Sequence, residues 1–329
     1  MDNLRFGILG AARIAPKGFI EPSAATASVE ITRVAARDSA RADAFAIENG
    51  IPNVSPSYEA LIQADDVDVV YNPLPMSLHA EWTIAALRAG KHVLCEKPLA
   101  ANATEASAMV AAAQETGQIL GEAFHYWYHP LWARVLKLVR SGTIGSLERI
   151  EGRFNIAISQ PDIRWNFETA GGSLMDLGCY PLHWVRWVAG AEPTVVSANA
   201  TVDPSAPKID AAMTAELAFP DGVTGSLQSS MIAGDGEEVI DLQITGSEGA
   251  IHVENPLAPQ NGNTLTITTE GGTTTGSVDA GVTYAHMIRA FADHVVHGTP
   301  YPTAGDDSIH NMRVIDAIYA AAELPIRGT

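Results

Sequence analysis

Cysteine is scarce in this sequence, which has only Cys95 and Cys179 among its 329 residues. Two cysteines without metal-ligand spacing cannot supply a disulfide framework or a typical zinc site. We therefore expect two reduced thiols that pack as small hydrophobic groups, and no bound metal. Basic residues are also few, with 20 Lys and Arg against 38 Asp and Glu. The net charge of −18 argues against nucleic acid or an anionic membrane as a partner.

Long apolar runs are absent as well. No stretch approaches the ~20 apolar residues that a membrane-spanning helix needs. The opening sequence MDNLRFGILGAARIA lacks the basic segment and the small-residue cleavage site of a secretory signal, so we expect a cytoplasmic protein. What the chain does have is length and apolar content. With 329 residues, 47% of them hydrophobic, it can form two domains with sizeable cores.

The first third of the chain alternates short apolar runs with alanine-rich helical stretches. This alternation predicts a doubly wound parallel sheet with helices on both faces. The predicted strands are residues 4–9, 29–36, 67–71, 91–95 and 119–123. We assign residues 1–123 to a doubly wound, Rossmann-type domain of the α/β class.

Beyond this domain, longer strands follow one another without helices between them. They predict an α+β domain, residues 124–329, with an open-faced, mostly antiparallel sheet that serves substrate binding and oligomerisation. Turns are predicted at 220–222 and 246–249, and a final helix at about 304–322 is expected to pack back on the first domain. An uncovered apolar sheet face is too large for a monomer, so we expect a homodimer or a dimer of dimers.

The segment FGILGAARIA, residues 6–15, has the small-residue spacing of a dinucleotide-binding loop. Gly10, Ala12 and Ala15 occupy the three small positions of that fingerprint. The first must be glycine for the tight turn, whereas the others need only be small enough for a pyrophosphate to approach and for the helix to pack. A tight turn without a ligand is the alternative, and the strand–helix alternation that follows favours binding. We therefore expect residues 1–123 to be an NAD(P)-binding Rossmann domain.

The choice of cofactor depends on the end of the second predicted strand. Ala36 stands where an NAD-selecting fold places an acid, and Arg37 follows it, with Arg41 as a second basic residue. A guanidinium group suits the 2′-phosphate of NADP(H). We therefore expect NADP(H) to be preferred, with NAD(H) possible. The alternative is that Arg37 is a solvated loop charge and that Asp38 faces the ribose.

A strand that ends on two charges, in the sequence EKP at residues 96–98, is the second unusual feature. Burying Glu96 or Lys97 costs several kcal/mol unless each is paired. In doubly wound sheets the ligand lies at the carboxyl ends of the strands, and Pro98 restricts the backbone there. Lys97 is therefore predicted to act as a proton-transfer group, and a structural Lys–Glu pair is the alternative.

A third segment, residues 164–188, predicts a helix that begins near Ser173. Asp176, Tyr180 and His183 are spaced i, i+4 and i+7, which places them on one helical face. An acid, a phenol and an imidazole on one face indicate an active-site wall. A polar seam between two domains is the alternative.

Together these motifs resemble the glucose–fructose oxidoreductase, inositol dehydrogenase and MocA (Gfo/Idh/MocA) family. The resemblance rests on the glycine loop, EKP, EAFHYWYHP and GGSLMDLGCYPLH, and it covers essentially the whole chain. It is nearest to the branch of NADP-dependent aldose (xylose-type) and trans-dihydrodiol dehydrogenases. It implies an oxidoreductase that acts on a sugar, polyol or cyclic diol. The alternatives are an enzyme that retains its cofactor and cycles one sugar against another, an NAD-dependent glycosidase, and a non-catalytic redox sensor.

The family pattern also implies roles for individual residues. Lys97 is implied as the central catalytic residue, Tyr180 as its partner in proton transfer, and Asp176 as the group that holds the substrate or tunes Tyr180. The implied cofactor contacts lie in the loops after the strands: Gly10, Ala11, Ala12, Arg13, Ile14, Arg37, Arg41, Asn72, Pro73, Leu74, Pro75, His79, Glu96 and Lys97. The implied substrate contacts are Tyr126, Trp127, Arg164, Trp165 and His183.

Two positions depart from the pattern of that branch. Trp127 stands where arginine is usual, and Met76 stands where asparagine is common. With Trp132 and Trp165 also in this part of the sequence, the departures predict an aromatic substrate pocket. Aromatic faces suit sugar rings and flat carbocycles alike, so the sequence leaves the substrate open.

Overall fold

The computed structural model describes residues 3–328, which form two compact units. The first unit contains the chain up to His125 and residues 284–309, and the second contains 126–283 and the chain from His310 onward. The sequence pattern places 284–309 in the second domain, whereas the structure groups this segment with the first unit. The reason is aromatic packing, because the buried ring of Phe291 lies 6.4 Å from Phe6 and 5.4 Å from Tyr301.

The first unit is built on six parallel strands in the order β3-β2-β1-β4-β5-β6. The strands are β1 Leu4–Leu9, β2 Val29–Ala35, β3 Asn53–Ser55, β4 Val69–Asn72, β5 His92–Cys95 and β6 Leu120–Glu122. The order changes direction between β1 and β4, which confirms the predicted doubly wound Rossmann sheet. Strand β3 is not predicted because its three residues are too short for a recognisable apolar run.

The helices begin with a π-helix, Pro16–Ile20, directly after the glycine loop. The α-helices are α1 Glu21–Ser23, α2 Ser39–Asn49, α3 Tyr58–Ile62, α4 His79–Arg88, α5 Ala103–Thr116, α6 Pro130–Arg140, α7 Cys179–Ala189, α8 Thr283–His297 and α9 Asp306–Ala321. Asn102 caps α5, because its Oδ1 accepts the backbone N–H of Glu105 at 3.0 Å. Within residues 3–328, no helix has both the length and the apolar character needed to cross a membrane.

The second unit is built on eight strands in the order β14-β13-β12-β11-β7-β10-β9-β8. The strands are β7 Leu147–Asn155, β8 Thr194–Asp203, β9 Ala206–Ala218, β10 Thr224–Ser230, β11 Val239–Gly246, β12 Gly249–Glu254, β13 Thr264–Thr269 and β14 Gly272–Gly276. Every neighbouring pair is antiparallel except β7 with β10, which is parallel. This confirms the predicted mostly antiparallel sheet, with hairpins at both predicted turns.

One face of this sheet is buried and the other is polar. Gly152 of β7 lies so close to α7 that a Cβ there would come within 2.8 Å of Pro181. On the opposite face, Arg153 donates two hydrogen bonds to Asp241, at 2.8 and 2.5 Å. Arg149 on the same face lies 3.2 Å from a Glu151 carboxylate oxygen. The uncovered face therefore differs from the apolar surface expected from the sequence, because its alternate residues are charged.

Candidate active site

The loop after β1 turns at Gly10, whose φ of +84° lies in the left-handed region. A Cβ at this position would come within 2.9 Å of Leu74 Cδ2, so both the backbone and the available space require glycine. Ala11 is buried, while Arg13 and Ile14 are exposed, Ile14 at 37%. The structure thus brings the glycine loop against the segment after β4, and both were predicted to contact the cofactor.

The end of β2 lies beside this loop. Ala36 is buried with Ala11 and Ala42, so the position where an NAD-selecting fold carries an acid is filled by a methyl group. The Arg41 guanidinium donates a 2.7 Å hydrogen bond to the Ala11 carbonyl oxygen. Asp38, the alternative ribose ligand, instead caps α2, since its Oδ1 accepts the Arg41 backbone N–H at 3.0 Å.

Tyr58, at the start of α3, is a neighbour of this loop that the sequence does not reveal. Its hydroxyl lies 3.8 Å from the position that a Cβ on Gly10 would take. Burial raises the pKa of Tyr58, and the charges of Arg37 and Arg41 oppose that rise, so the three side chains share one electrostatic environment. A glycine turn flanked by small residues and guanidinium groups fits a dinucleotide that carries a 2′-phosphate.

Two carboxylates contact the backbone of the Lys97 loop, at the N–H groups of Lys97 and Leu99. Glu96 is buried, and its Oε1 accepts the Tyr71 hydroxyl at 2.7 Å while its Oε2 lies 3.4 Å from the Lys97 backbone N–H. The Leu99 N–H donates to Glu122 Oε1 at 2.8 Å. Glu122 ends strand β6 at the same edge of the sheet. A charged residue at a strand end is the signal that the sequence offers, and Glu122 shares it with Glu96 although it lies outside the EKP motif.

His79 joins the loop after β4 to the loop after β5. Its Nε2 lies 2.8 Å from the Leu74 carbonyl oxygen, and its Nδ1 lies 3.1 Å from that of Pro98, whose peptide bond with Lys97 is cis. Burial lowers the pKa of His79 to about 4, and the positive charge of Lys97 contributes to the lowering. The ring is therefore neutral at neutral pH, so its single N–H donates to one of these two carbonyl oxygens, and the ring lies between two predicted cofactor-contact segments.

The Asn72 side chain is hydrogen-bonded within the loop after β4. Its side-chain oxygen accepts the Leu74 N–H at 3.3 Å, and its amide donates to Thr83 Oγ1 at 3.1 Å. Pro73 and Pro75 lie in the loop that this amide closes. Asn72 is fully buried, so in this structure it fixes the loop from within.

His125 is the second imidazole whose pKa is lowered by the positive charge of Lys97. It is buried and stacks on Tyr284, with ring centroids 3.9 Å apart. Burial lowers the pKa of His125 to about 3, and the Lys97 charge adds to this effect. Both imidazoles near Lys97 are therefore neutral at neutral pH, and neither competes with its ammonium group as a cation.

In the second unit, the chain turns at Gly172, with φ of +140°, into a π-helical turn, Leu174–Gly178. Helix α7 follows at once and carries Tyr180 in its first turn. The sequence predicts a helix from about Ser173, but no residue pattern reveals the π-helical winding.

Asp176 lies on this turn and forms an ion pair with Arg164. The Arg164 Nε donates to Asp176 Oδ2 at 2.5 Å, and its Nη1 donates to Asp162 Oδ1 at 3.1 Å. The Asp176 carboxylate raises the pKa of Arg164, which therefore stays charged. Beside it, the Trp165 indole N–H donates to the Ile158 carbonyl oxygen at 3.0 Å. Two of the predicted site residues, Asp176 and Arg164, are thus direct partners.

Tyr180 is 5% exposed and lies in an aromatic cluster, with its ring 5.9 Å from Tyr126 and 5.8 Å from Phe154. Tyr126 is hydrogen-bonded through its hydroxyl to His183 Nδ1. The Trp187 indole N–H donates to His183 Nε2 at 3.1 Å. Because an indole nitrogen can only donate, His183 is neutral, with its proton on Nδ1. A substrate could bind His183 only by breaking one of these bonds, so that contact stays a prediction.

Trp127 lines a groove of about 580 Å³ along helix α6. Its indole packs on Trp187, with ring centroids 4.2 Å apart. Trp132 also lines the groove, and so do the exposed side chains of Lys137 and Arg140. Neither of these two cations has an ion-pair partner among residues 3–328. The groove therefore combines aromatic surface with two positive charges in a chain of net charge −18.

Comparison with known protein families covers both units. Residues 4–124 match the family described as oxidoreductase family, NAD-binding Rossmann fold. Residues 132–252 match the family described as GFO/IDH/MocA C-terminal domain.

Similar proteins cover nearly the full chain. D-xylose 1-dehydrogenase (NADP(+)) 2 of Haloferax volcanii is 37% identical over 97% of this chain and 98% of its own length. The dTDP-3,4-didehydro-2,6-dideoxy-α-D-glucose 3-reductase of Streptomyces violaceoruber is 34% identical over 98% of this chain and 96% of its own. The 3-ketoreductase KijD10 of Actinomadura kijaniata, solved with NADP and TDP-benzene, superposes with a TM-score of 0.90 at 30% identity and covers 97% of this chain and 98% of its own.

Proposed function

The chain belongs to the GFO/IDH/MocA family of oxidoreductases, and on that premise we propose that it transfers hydride between NADP(H) and a sugar, polyol or cyclic diol. The observation that carries the proposal is the 37% identity, over 97% of this chain, to an NADP-dependent D-xylose dehydrogenase. The glycine loop and the charged end of β5 supply the chemistry that such a reaction needs.

NADP(H), when bound, supplies or accepts the hydride. In this proposal the small residues after Gly10 let the backbone approach the pyrophosphate, and the guanidinium groups of Arg37 and Arg41 hold the 2′-phosphate. The engagement of Asp38 as a helix cap supports this choice, because it removes one carboxylate oxygen from competition for the ribose hydroxyls.

The proton of the alcohol is proposed to pass through Lys97 and Tyr180. A free lysine titrates at about 10.4 and a free tyrosine at about 10, so neither alone is an efficient base at neutral pH. A lysine cation favours the phenolate form of a tyrosine, which moves one of the two groups toward neutral pH, where acid–base catalysis is most effective. Asp176, oriented by Arg164, is proposed to hold a substrate hydroxyl.

A substrate panel tests this function. We expect purified enzyme to reduce NADP⁺ with an aldose such as D-xylose, or with a cyclic trans-diol, and to show weaker activity with NAD⁺. Nicotinamide absorbance that stays with the protein through purification would favour an enzyme that retains its cofactor. Release of an aglycone from a glycoside would favour the glycosidase alternative, and no turnover with any member would favour a redox sensor.

A second candidate is the reduction of a nucleotide-linked keto sugar. It is favoured by the groove along α6, because the partly exposed indole of Trp127 suits a base and the cations Lys137 and Arg140 suit a diphosphate. We expect dTDP to bind, as measured by calorimetry, and binding to weaken in the double variant Lys137→Ala/Arg140→Ala. Arg134→Ala, on the same helix but outside the groove, is the control. Absence of dTDP binding to the wild type would remove this candidate.

Arg37→Ala tests cofactor choice. Loss of a charge-assisted hydrogen bond should weaken NADPH binding by about 1.5–3 kcal/mol and leave NADH binding nearly unchanged. Fluorescence titration with each cofactor measures both effects. Arg88→Ala, on α4 and paired only loosely with Glu115 at 3.8 Å, is the control. Equal weakening of both cofactors would show that Arg37 does not contact the 2′-phosphate.

We propose a homodimer formed through the uncovered face of the eight-stranded sheet. Rows of Arg149 and Arg153 beside Glu151, Glu216 and Asp241 are suited to a two-fold interface, because each arginine can meet an acid of the second copy. Sedimentation at micromolar concentration should show a dimer, and Arg153→Glu should shift it toward monomer. A wild-type monomer would contradict this assembly.

A further inference from the structure

A fully buried ion pair lies in the second unit, outside the residues to which the proposed reaction gives a role. Asp210 and Arg327 are both 0% exposed, and their side chains meet at 2.6 Å. Asp210 Oδ1 also accepts the Tyr319 hydroxyl at 2.9 Å. Burial raises the pKa of Asp210, and the Arg327 charge opposes that rise. We refer to Asp210, Tyr319 and Arg327 as the buried clamp.

The buried clamp holds the chain on both sides of Gly172. The Arg327 Nε donates to the Gly171 carbonyl oxygen at 2.6 Å, and the Leu174 N–H donates to Asp210 Oδ2 at 2.6 Å. A Cβ on Gly172 would collide with all three clamp side chains, so this backbone passes directly through the cluster. The Arg327 guanidinium carbon also lies 4.0 Å from the centre of the Tyr319 ring, which is a cation–π contact.

The clamped segment leads straight into the proposed catalytic residues. Leu174, whose N–H is hydrogen-bonded to Asp210, is the first residue of the π-helical turn that carries Asp176. Helix α7, which carries Tyr180, begins where that turn ends. Any displacement of Leu174 would therefore be passed along a continuous helical segment to both side chains.

Stability alone is a weak reason for such a pair. The free energy needed to remove two charges from water is about as large as the free energy gained from their attraction. A protein with a well-packed apolar replacement is therefore often at least as stable. The directional bonds to Gly171 and Leu174 are what an apolar group could not reproduce. We infer that the buried clamp positions the Asp176–Tyr180 segment for catalysis, an inference that rests on the proposed function of that segment.

The test compares Arg327→Met with Tyr319→Phe. Arg327→Met removes the bond to Gly171 and leaves Asp210 without its cation, whereas Tyr319→Phe removes one hydroxyl and keeps the ion pair. We expect Arg327→Met to lower kcat by roughly 10²-fold, as for a misplaced catalytic group, with NADPH affinity unchanged. Tyr319→Phe should lower kcat less, and it keeps the test decisive if Arg327→Met does not fold.

Amide hydrogen exchange supplies a readout that does not depend on turnover. Exchange in residues 171–180 should be faster in both clamp variants than in the wild type, and more so in Arg327→Met. Ile251→Ala removes a buried side chain from strand β12 of the same unit, so it is the control for lost stability. It should lower Tm without faster exchange at 171–180 and without the loss of kcat.

The outcomes separate the role of the buried clamp from the proposed function of the enzyme. Unchanged exchange at 171–180 in the clamp variants would overturn the clamp, as would an Ile251→Ala variant that reproduces their loss of kcat. A wild type that turns over no sugar, diol or nucleotide sugar would refute the proposed function, whereas the exchange measurement would still decide whether the clamp holds this segment.

Discussion

Lys97→Met is expected to lower turnover by ~10²–10⁴-fold, the usual contribution of a positioned proton-transfer group, while NADPH still binds. Methionine keeps the length of the side chain and removes only its ammonium group. The loop should survive the change, because Glu96 and Glu122 hold it through the backbone N–H groups of Lys97 and Leu99. The loss should therefore appear in kcat and not in folding.

The matched control for this variant lies at the other end of the same strand. Lys91 precedes β5, and its Nζ donates to the Ala64 and Val67 carbonyl oxygens at 2.9 and 2.7 Å. Lys91→Met should cost some stability, measured by thermal unfolding, and keep nearly all activity. If Lys97→Met instead kept more than about a tenth of wild-type turnover, a positioned proton-transfer role would be excluded and Lys97 would be a structural ion-pair partner.

Tyr180→Phe is expected to reduce turnover in the same ~10²–10⁴-fold range. The substitution removes one hydroxyl, and the ring can keep its packing at 5.9 Å from Tyr126 and 5.8 Å from Phe154. Circular dichroism and NADPH affinity should therefore match the wild type. An active Tyr180→Phe enzyme would assign the proton to another group.

The double variant Lys97→Met/Tyr180→Phe asks whether the two residues act as a unit. If they share one proton transfer, the double variant should be little worse than the worse single variant. Steady-state kcat of the four proteins, on one substrate and at one pH, provides the comparison. Losses that multiply would mean that the two side chains contribute independently.

Most of the fold is predictable because it depends on local patterns. Apolar runs bounded by helical stretches give five strands of the six-stranded sheet, and only Asn53–Ser55 escapes because of its length. Two features depend on contacts between residues distant in sequence. These are the parallel pairing of β7 with β10 and the packing of Phe291 against Phe6, and no local pattern encodes either.

The residues of the candidate site, and those that position it, also differ in whether a local pattern reveals them. Gly10 and Lys97 can be proposed from the sequence because each belongs to a short motif with a physical reason. Asp210 and Arg327 are not found, because they lie 117 residues apart and each looks ordinary in its own segment. Tyr58 is missed for a related reason, since only the folded sheet brings its hydroxyl to the glycine loop.

The most direct test of the proposed reaction follows the hydride itself. D-xylose deuterated at C1 is incubated with the enzyme and NADP⁺, and the reduced cofactor is analysed by mass spectrometry, with the panel of aldoses and diols, labelled at the oxidised carbon, as further substrates. Direct hydride transfer from C1 predicts deuterium in the NADPH, together with a slower rate than for unlabelled substrate when hydride transfer limits turnover. Reduced cofactor without deuterium, or a folded enzyme that forms no reduced cofactor with any member of the panel, would contradict it.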